Sequence, residues 1–249
     1  MAEILFLGTA GARYVVAKQL RASAGLLLED NGKYLLFDPG PGTLVHLAKR
    51  KIYPEKIKTI IVSHKHLDHS ADLNIMVDAI TEGAFKKRGT VFLTEETLNE
   101  GLLLNYLKEA LEEVIILRPK STYQDGSFVF RTTSLLKHTA ENYGFIFEFK
   151  DKNLGIITDT AYFPELSEEF KDCQYLIVNV VRYEPKEGVL HLSVPELKIL
   201  LKELKPELTV ITHFGMTMLK ANPFKVAQTL SSELGLKVLA AYDGMKLTL

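Results

Sequence analysis

The stretch Ser63-His64-Lys65-His66-Leu67-Asp68-His69 follows directly on the apolar run 59–62. A β-type run that ends in a polar loop is where an α/β fold places a site. Three imidazoles and a carboxylate within residues 64–69 make a poor solvated surface and a good nest for cations. Both side-chain types offer the nitrogen and oxygen donors that suit zinc, manganese or iron. His64 and His66 can reach one ion from an extended loop, and Asp68 and His69 then turn toward a second. The competing reading is a solvated loop that merely contains histidine, and the intact His-x-His-x-Asp-His spacing weighs against it.

Around this stretch, short β-type runs predict strands over 3–7, 25–29, 33–37, 59–63, 90–93 and 113–117. Further strands are predicted over 127–132, 143–149, 153–158, 175–179, 209–212, 237–241 and 246–249. Turn residues at Asp30-Asn31-Gly32, Asp151-Lys152-Asn153 and Asp243-Gly244 predict three hairpins. Helical periodicity covers 44–50, 71–82, 95–111, 194–204 and 223–234. Ser193 with Glu196, and Asn222 before Pro223, are helix-start signals. Hairpins mixed with β–helix–β units predict two sheets covered by helices, in one domain over residues 1–249.

Composition narrows the function. Thirty Lys+Arg against 31 Asp+Glu leave a net charge of −1, which argues against a broad basic surface for nucleic acid. The 47% hydrophobic content allows a sizeable core. A single cysteine, Cys173, excludes an intrachain disulfide and a thiolate-rich zinc knuckle, and reads as a small buried apolar residue. The amino terminus carries no signal-peptide pattern, and no apolar stretch reaches the roughly 18–20 residues that span a bilayer. The expectation is a cytoplasmic protein without membrane contact.

The histidine motif resembles that of the metallo-β-lactamase superfamily, and later motifs of that family follow in order. His138 comes after the strand 127–132, Asp159 closes a strand in Ile157-Thr158-Asp159-Thr160, and His213 closes another in Ile211-Thr212-His213-Phe214-Gly215. The resemblance implies an α/β (α+β) fold, the four-layer αβ/βα sandwich with a metal site at one edge. It implies two divalent ions, zinc first, with manganese and iron open. One would rest on His64, His66 and His138, the other on Asp68, His69 and His213, with Asp159 and a water bridging them. Asp38, in Phe37-Asp38-Pro39-Gly40, resembles the family's first motif, an acceptor that fixes the tautomer of a ligand histidine. A plain turn aspartate is the alternative there.

Two such ions about 3.5–4 Å apart can activate a shared water toward a phosphodiester, thioester, lactone or lactam. Antibiotic hydrolysis is not expected, because Cys173 falls outside the position where the familiar β-lactamases often carry cysteine. His191, in Gly188-Val189-Leu190-His191-Leu192-Ser193, has no ligand slot left. In the phosphodiesterase branch, which includes ribonuclease Z and the cyclic-phosphate phosphodiesterase of phosphonate breakdown, a His-x-Ser/Thr histidine lies at this place. The resemblance implies attack by a metal-bridging hydroxide, with Asp68 and Asp159 in the catalytic set. His191 is then the general acid that protonates the leaving oxygen, a job imidazole suits near neutrality. Packing beside the following helix is its alternative.

Gly8-Thr9-Ala10-Gly11 and Arg21-Ala22-Ser23 also resemble the opening of this branch, although a strand exit explains the glycines equally well. Ribonuclease Z usually carries a long tRNA-gripping arm between the third-motif histidine and the bridging aspartate; here residues 139–158 leave room for a hairpin only. The phosphonate-pathway enzyme's cysteine-bearing zinc loop is missing too. The expected substrate is therefore a small phosphodiester or short nucleotide rather than tRNA, and a homodimer is an open assembly. The alternative activity is a lactonase of the same superfamily, of the acylhomoserine-lactone type. In it Tyr162, three residues after Asp159, would donate to the developing oxyanion. A non-catalytic metal-binding scaffold is the third reading.

Overall fold

Continuous apolar runs such as Ile4-Leu5-Phe6-Leu7 mark strands covered on both faces, and two sheets of that kind carry the molecule. The computed structural model describes residues 2–23, 25–150 and 152–249. The strands are β1 (Glu3–Gly8), β2 (Gly25–Asp30), β3 (Lys33–Phe37), β4 (Ile57–Ile61), β5 (Thr90–Leu93), β6 (Glu113–Ile116) and β7 (Thr122–Asp125). They continue with β8 (Phe128–Leu135), β9 (Tyr143–Phe149), β10 (Lys152–Ile157), β11 (Tyr175–Asn179), β12 (Leu208–Thr212), β13 (Val238–Ala240) and β14 (Lys246–Thr248). One sheet runs β14-β1-β2-β3-β4-β5-β6 and the other β13-β12-β11-β10-β9-β8-β7.

The helices are α1 (Ala12–Ala17), α2 (Thr43–Lys49), α3 (Leu67–Ser70), α4 (Leu73–Ile80) and α5 (Glu95–Asn99). After them come α6 (Asn105–Ala110), α7 (Leu166–Phe170), α8 (Val194–Leu204), α9 (Met216–Ala221) and α10 (Pro223–Leu234). Among the described residues, no helix is long and apolar enough to cross a membrane.

Alternation of side chains along each strand sorts the core into three layers. Ile4 and Phe6 face the other sheet, where Phe37, Phe130, Phe145 and Phe147 fill the space between the two. Leu5 and Leu7 point the opposite way, against Met76, Val77 and Ile80 of α4. On the far side, Ile157, Val178 and Ile211 pack under Leu197 and Leu201 of α8 and Leu230 of α10. The layers therefore run helix, sheet, sheet, helix. Cys173 lies in that last cluster, and burial pushes its thiol up to about 12.

Four sequence expectations have different outcomes in the fold. The turn at residues 30–32 closes a hairpin, with Asp30 opposite Lys33 and Gly32 at φ 75°. β9 and β10 pair antiparallel from Phe149 and Lys152, while Asp151 itself lies outside the described residues. The turn at Asp243-Gly244 closes no hairpin. β13 runs parallel to β12, whereas β14 pairs with β1 in the other sheet. The connection crosses between sheets because Asp243 accepts hydrogen bonds from Thr9 Oγ1 (2.6 Å) and the Ala22 amide (2.8 Å). The helix expected over 95–111 splits into α5 and α6, broken at Gly101 with φ 73°. The short helices α1, α3, α7 and α9 span too few turns for periodicity to register.

Between the two sheets Phe37 and Phe145 contact edge to face, with ring centroids 4.9 Å apart and planes at 87°. Both rings are buried, so Phe145→Ala removes contact on either side of the sandwich. We expect a loss of about 3–5 kcal/mol of stability, read from denaturant unfolding.

Candidate metal centre

Parallel pairing places the ends of several strands along one edge of the sandwich. β10, β11 and β12 run parallel, so Asp159, Asn179 and His213 arrive together at their C-terminal ends. In the other sheet β3 and β4 are also parallel and deliver Asp38 and the 63–69 loop to the same edge. α3 turns Asp68 and His69 inward, both buried. His138 comes from the loop after β8, and His191 from the loop between β11 and α8.

Three imidazole nitrogens converge first. His64 Nε2 lies 3.0 Å from His66 Nδ1, which lies 3.1 Å from His138 Nε2. Those spacings approach the edge, roughly 3.3 Å, of a tetrahedron of nitrogens around an ion 2.0–2.1 Å away. Hydrogen bonds on the opposite ring atoms decide which nitrogens are left for the ion. His138 Nδ1–H donates to the Leu190 carbonyl at 3.1 Å. Ser63 Oγ–H donates to Asp38 Oδ2 at 2.8 Å, which leaves Ser63 Oγ to accept from His64 Nδ1–H at 3.0 Å.

A second set of donors lies deeper. His69 Nδ1–H donates to Asp38 Oδ2 at 2.8 Å, which leaves its Nε2 facing Asp159 Oδ2 (3.5 Å) and Asp68 Oδ2 (3.8 Å). His213 Nε2 stands 3.4 Å from Asp68 Oδ2, and its Nδ1 stands 3.3 Å from Asp159 Oδ1. Three triads have all their donor atoms within 4.8 Å of one another: His64, His66 and His138; His64, His69 and Asp159; Asp68, His69 and His213. Asp159 shares its neighbours with both ends of this chain of donors.

These residues fit a pair of divalent cations. His69 Nε2, both ring nitrogens of His213 and His191 Nδ1 are buried without any hydrogen-bond partner. Unpartnered buried polar atoms are rare, and four of them within one cluster of donors match what ion ligation requires. The electrostatics agree. Burial pushes the His64 pKa well below its usual value and that of His138 down to about 4, so both are neutral donors. Burial acts to raise Asp159 and Asp68, yet the adjacent His213 and His69 hold both carboxyls well below the ordinary range. Burial also acts to lower His69, but Asp68, Asp38 and Asp159 together raise it well above the usual value. The cluster has an excess of carboxylate that calls for positive charge.

His191 belongs to none of the triads. Its Nδ1 is 3.5 Å from Asp159 Oδ2, its ring centroid is 5.1 Å from that of His138, and its side chain is 20% exposed. Burial lowers its pKa and the Asp159 carboxylate opposes that shift. Tyr162 is not brought to this cluster. Its phenol packs at the edge of the α8 layer, where Glu203, Glu165 and Glu196 are its ionised neighbours. His46 lies apart on α2.

Beyond Asp38, which the sequence reading named, two residues that hold the donors in place were missed. Asn179 Nδ2 donates to Asp159 Oδ1 at 2.9 Å, and Asn142 Nδ2 donates to the Asp159 carbonyl at 2.6 Å. A polar residue closing the buried strand β11 was the available signal for Asn179. Gly11 acquires a reason as well. A Cβ there would stand 2.1 Å from the His213 carbonyl oxygen and 2.4 Å from its Nδ1. Asp38 (φ 52°) and His213 (φ 60°) occupy the left-handed region that non-glycine residues avoid, a strain held by the bonds around them.

Two outcomes follow for metal binding. Asp38→Asn loses an acceptor for Ser63 and His69 and should weaken metal affinity about 10–100-fold in a chelator competition. Gly11→Ala should displace His213 and lower the bound metal of a refolded sample, counted by elemental analysis, while circular dichroism keeps the fold signature.

Known proteins agree with the architecture. The family model for the Beta-lactamase superfamily domain matches residues 33–214. An uncharacterized protein of Methanocaldococcus jannaschii, MJ1374, is 34% identical over 99% of this chain and 95% of its own length. Ribonuclease Z of Borreliella afzelii is 26% identical over 86% of this chain and 85% of its own. Among solved structures, the metallo-beta-lactamase fold protein YhfI from Bacillus subtilis superposes with a TM-score of 0.82 at 20% identity, covering 99% of this chain and 98% of its own. A diphosphatase from the PhnP family gives 0.72 at 19% identity, covering 99% and 97%. At such identities the structural likeness is one of fold. The family match and the sandwich together assign the chain: it belongs to the beta-lactamase superfamily and is a metal-dependent hydrolase of the metallo-β-lactamase fold.

Proposed function

We propose that the protein is a phosphodiesterase acting on a small phosphodiester, with two divalent cations, zinc foremost, held by His64, His66 and His138 and by Asp68, His69 and His213, and Asp159 between them. When bound, such a pair supplies Lewis-acid polarisation of a phosphoryl oxygen and an acidified water. The observation that carries the reading is His191. It is a titratable side chain at the mouth of the donor cluster, partly open to solvent, with an unpartnered Nδ1 and no place in a ligand triad. An alkoxide leaving group needs a proton, and the Asp159 carboxylate 3.5 Å from the imidazole opposes the lowering of its pKa by burial.

The chain between His138 and Asp159 is short, which supports a small substrate. It forms β9, β10 and their connections, and the relatives named ribonuclease Z share this chain's family without lending it a tRNA-binding arm. The lactonase reading loses support because Tyr162 stands with the glutamates of the α8 layer rather than with the donors.

Metal-loaded protein is tested on alkyl phosphodiesters and on lactones. His191→Ala should keep its full metal content and lose roughly 10²–10⁴-fold in kcat/KM on an alkyl diester. A nitrophenyl ester, whose leaving group needs no proton, should lose much less. Equal turnover of the alkyl diester by the variant and the parent protein would remove His191 from the reaction. Lactone turnover that depends on Tyr162, without diester cleavage, would replace the reading.

A further inference from the structure

Beside the donor cluster lies a groove of about 650 Å³ whose wall includes His66 and Asp68. That size falls within the range, about 300–1,000 Å³, of small-molecule pockets. Most of the rest of its lining is aliphatic, with Val16 on α1, Pro41 after β3, Leu67 and Ala71 around α3, and Leu102 between α5 and α6. Leu67 sits between two metal-site residues, yet it is 65% exposed and belongs to no core cluster. One exposed leucine is ordinary, but several aliphatic side chains sharing a concave wall next to a reaction centre are not. They gain from burial only when something covers them.

The charges of the groove are equally informative. Lys65 is held by Glu96, at 2.9 Å, and by Glu100, so its ammonium is already neutralised. Arg13 is exposed, lines the same groove and makes no hydrogen bond or ion pair among the described residues; its charge reaches the His66 ring. A free guanidinium next to the donor cluster complements an anionic phosphoryl group. The imidazole of His66 is the only aromatic ring among the groove's lining residues, so a nucleobase would find no broad platform to stack on. The Asn74 side chain, donating to the Leu102 carbonyl at 2.9 Å, fixes the far wall.

We infer that this groove receives an aliphatic arm of the substrate, with Arg13 against the phosphoryl charge, so that the preferred diester carries an alkyl rather than a nucleoside ester. The inference rests on the phosphodiesterase reading and narrows it.

Three p-nitrophenyl phosphodiesters bearing a methyl, an octyl or a 5′-thymidine arm share one leaving group and differ only in what the groove must hold. Metal-loaded protein should turn over the octyl ester with kcat/KM at least about 10-fold above the other two. Leu67→Asn and, farther from the ligands, Leu102→Asn should bring the octyl-to-methyl ratio toward one. A ratio near one in the parent protein, or a preference for the thymidine ester, overturns the aliphatic assignment. If none of the three reacts, the phosphodiesterase reading fails, and calorimetry with octyl phosphate and methyl phosphate decides the groove alone. Octyl phosphate binding at least about 10-fold tighter, with the difference lost in Leu102→Asn, supports it; equal affinities overturn it. Arg13→Gln should weaken both phosphates by a similar factor, and unchanged affinity in that variant removes Arg13 from the site.

Discussion

The buried carboxylate of Asp38 is the constraint on which the site depends. It accepts from the Ser63 amide at 2.7 Å, from Ser63 Oγ at 2.8 Å and from His69 Nδ1 at 2.8 Å. Through those three bonds it ties the end of β3 to the loop after β4 and sets the ring orientations of His64 and His69 together. A carboxylate placed in the interior is costly unless it is fully hydrogen-bonded, and here every bond it makes positions a donor. The left-handed backbone of Asp38 shows that the surrounding structure overrides local preference at that residue.

The same logic extends to the charge balance. Asp38, Asp68 and Asp159 are all buried at one edge of the sandwich, with six histidine rings around them. Those carboxylates raise the His69 pKa well above its usual value against the opposing effect of burial. The near-neutral composition of the whole chain conceals this local excess. Net charge is a sum over the whole chain and carries no information on position, whereas the donor cluster is local.

Much of this was legible in the sequence, and the particular residues show why. His64, His66, Asp68 and His69 are local in the chain, so their spacing alone announces a cation site. The continuous apolar run Ile4-Leu5-Phe6-Leu7 of β1 already announces a strand covered on both faces. Legibility failed where the outcome rests on contacts between distant segments. Asp243 looks like a turn residue, and only its bonds to Thr9 and Ala22 send the chain from one sheet to the other. The expected helix over 95–111 breaks at Gly101, a conformational need that periodicity does not report.

By itself the sequence determined the donor types, their local spacing and the short apolar runs that form the strands, because each is a property of neighbouring residues. The tertiary structure alone decided that His138, Asp159 and His213 reach the same few ångströms, that Asn179 and Gly11 serve two of them, and that Tyr162 stays with the α8 layer. It also decided that Arg13 and Leu67 share a groove with the donors. Those outcomes depend on parallel strand register and on packing between segments tens to hundreds of residues apart, where the chain's own local energetics carry no information.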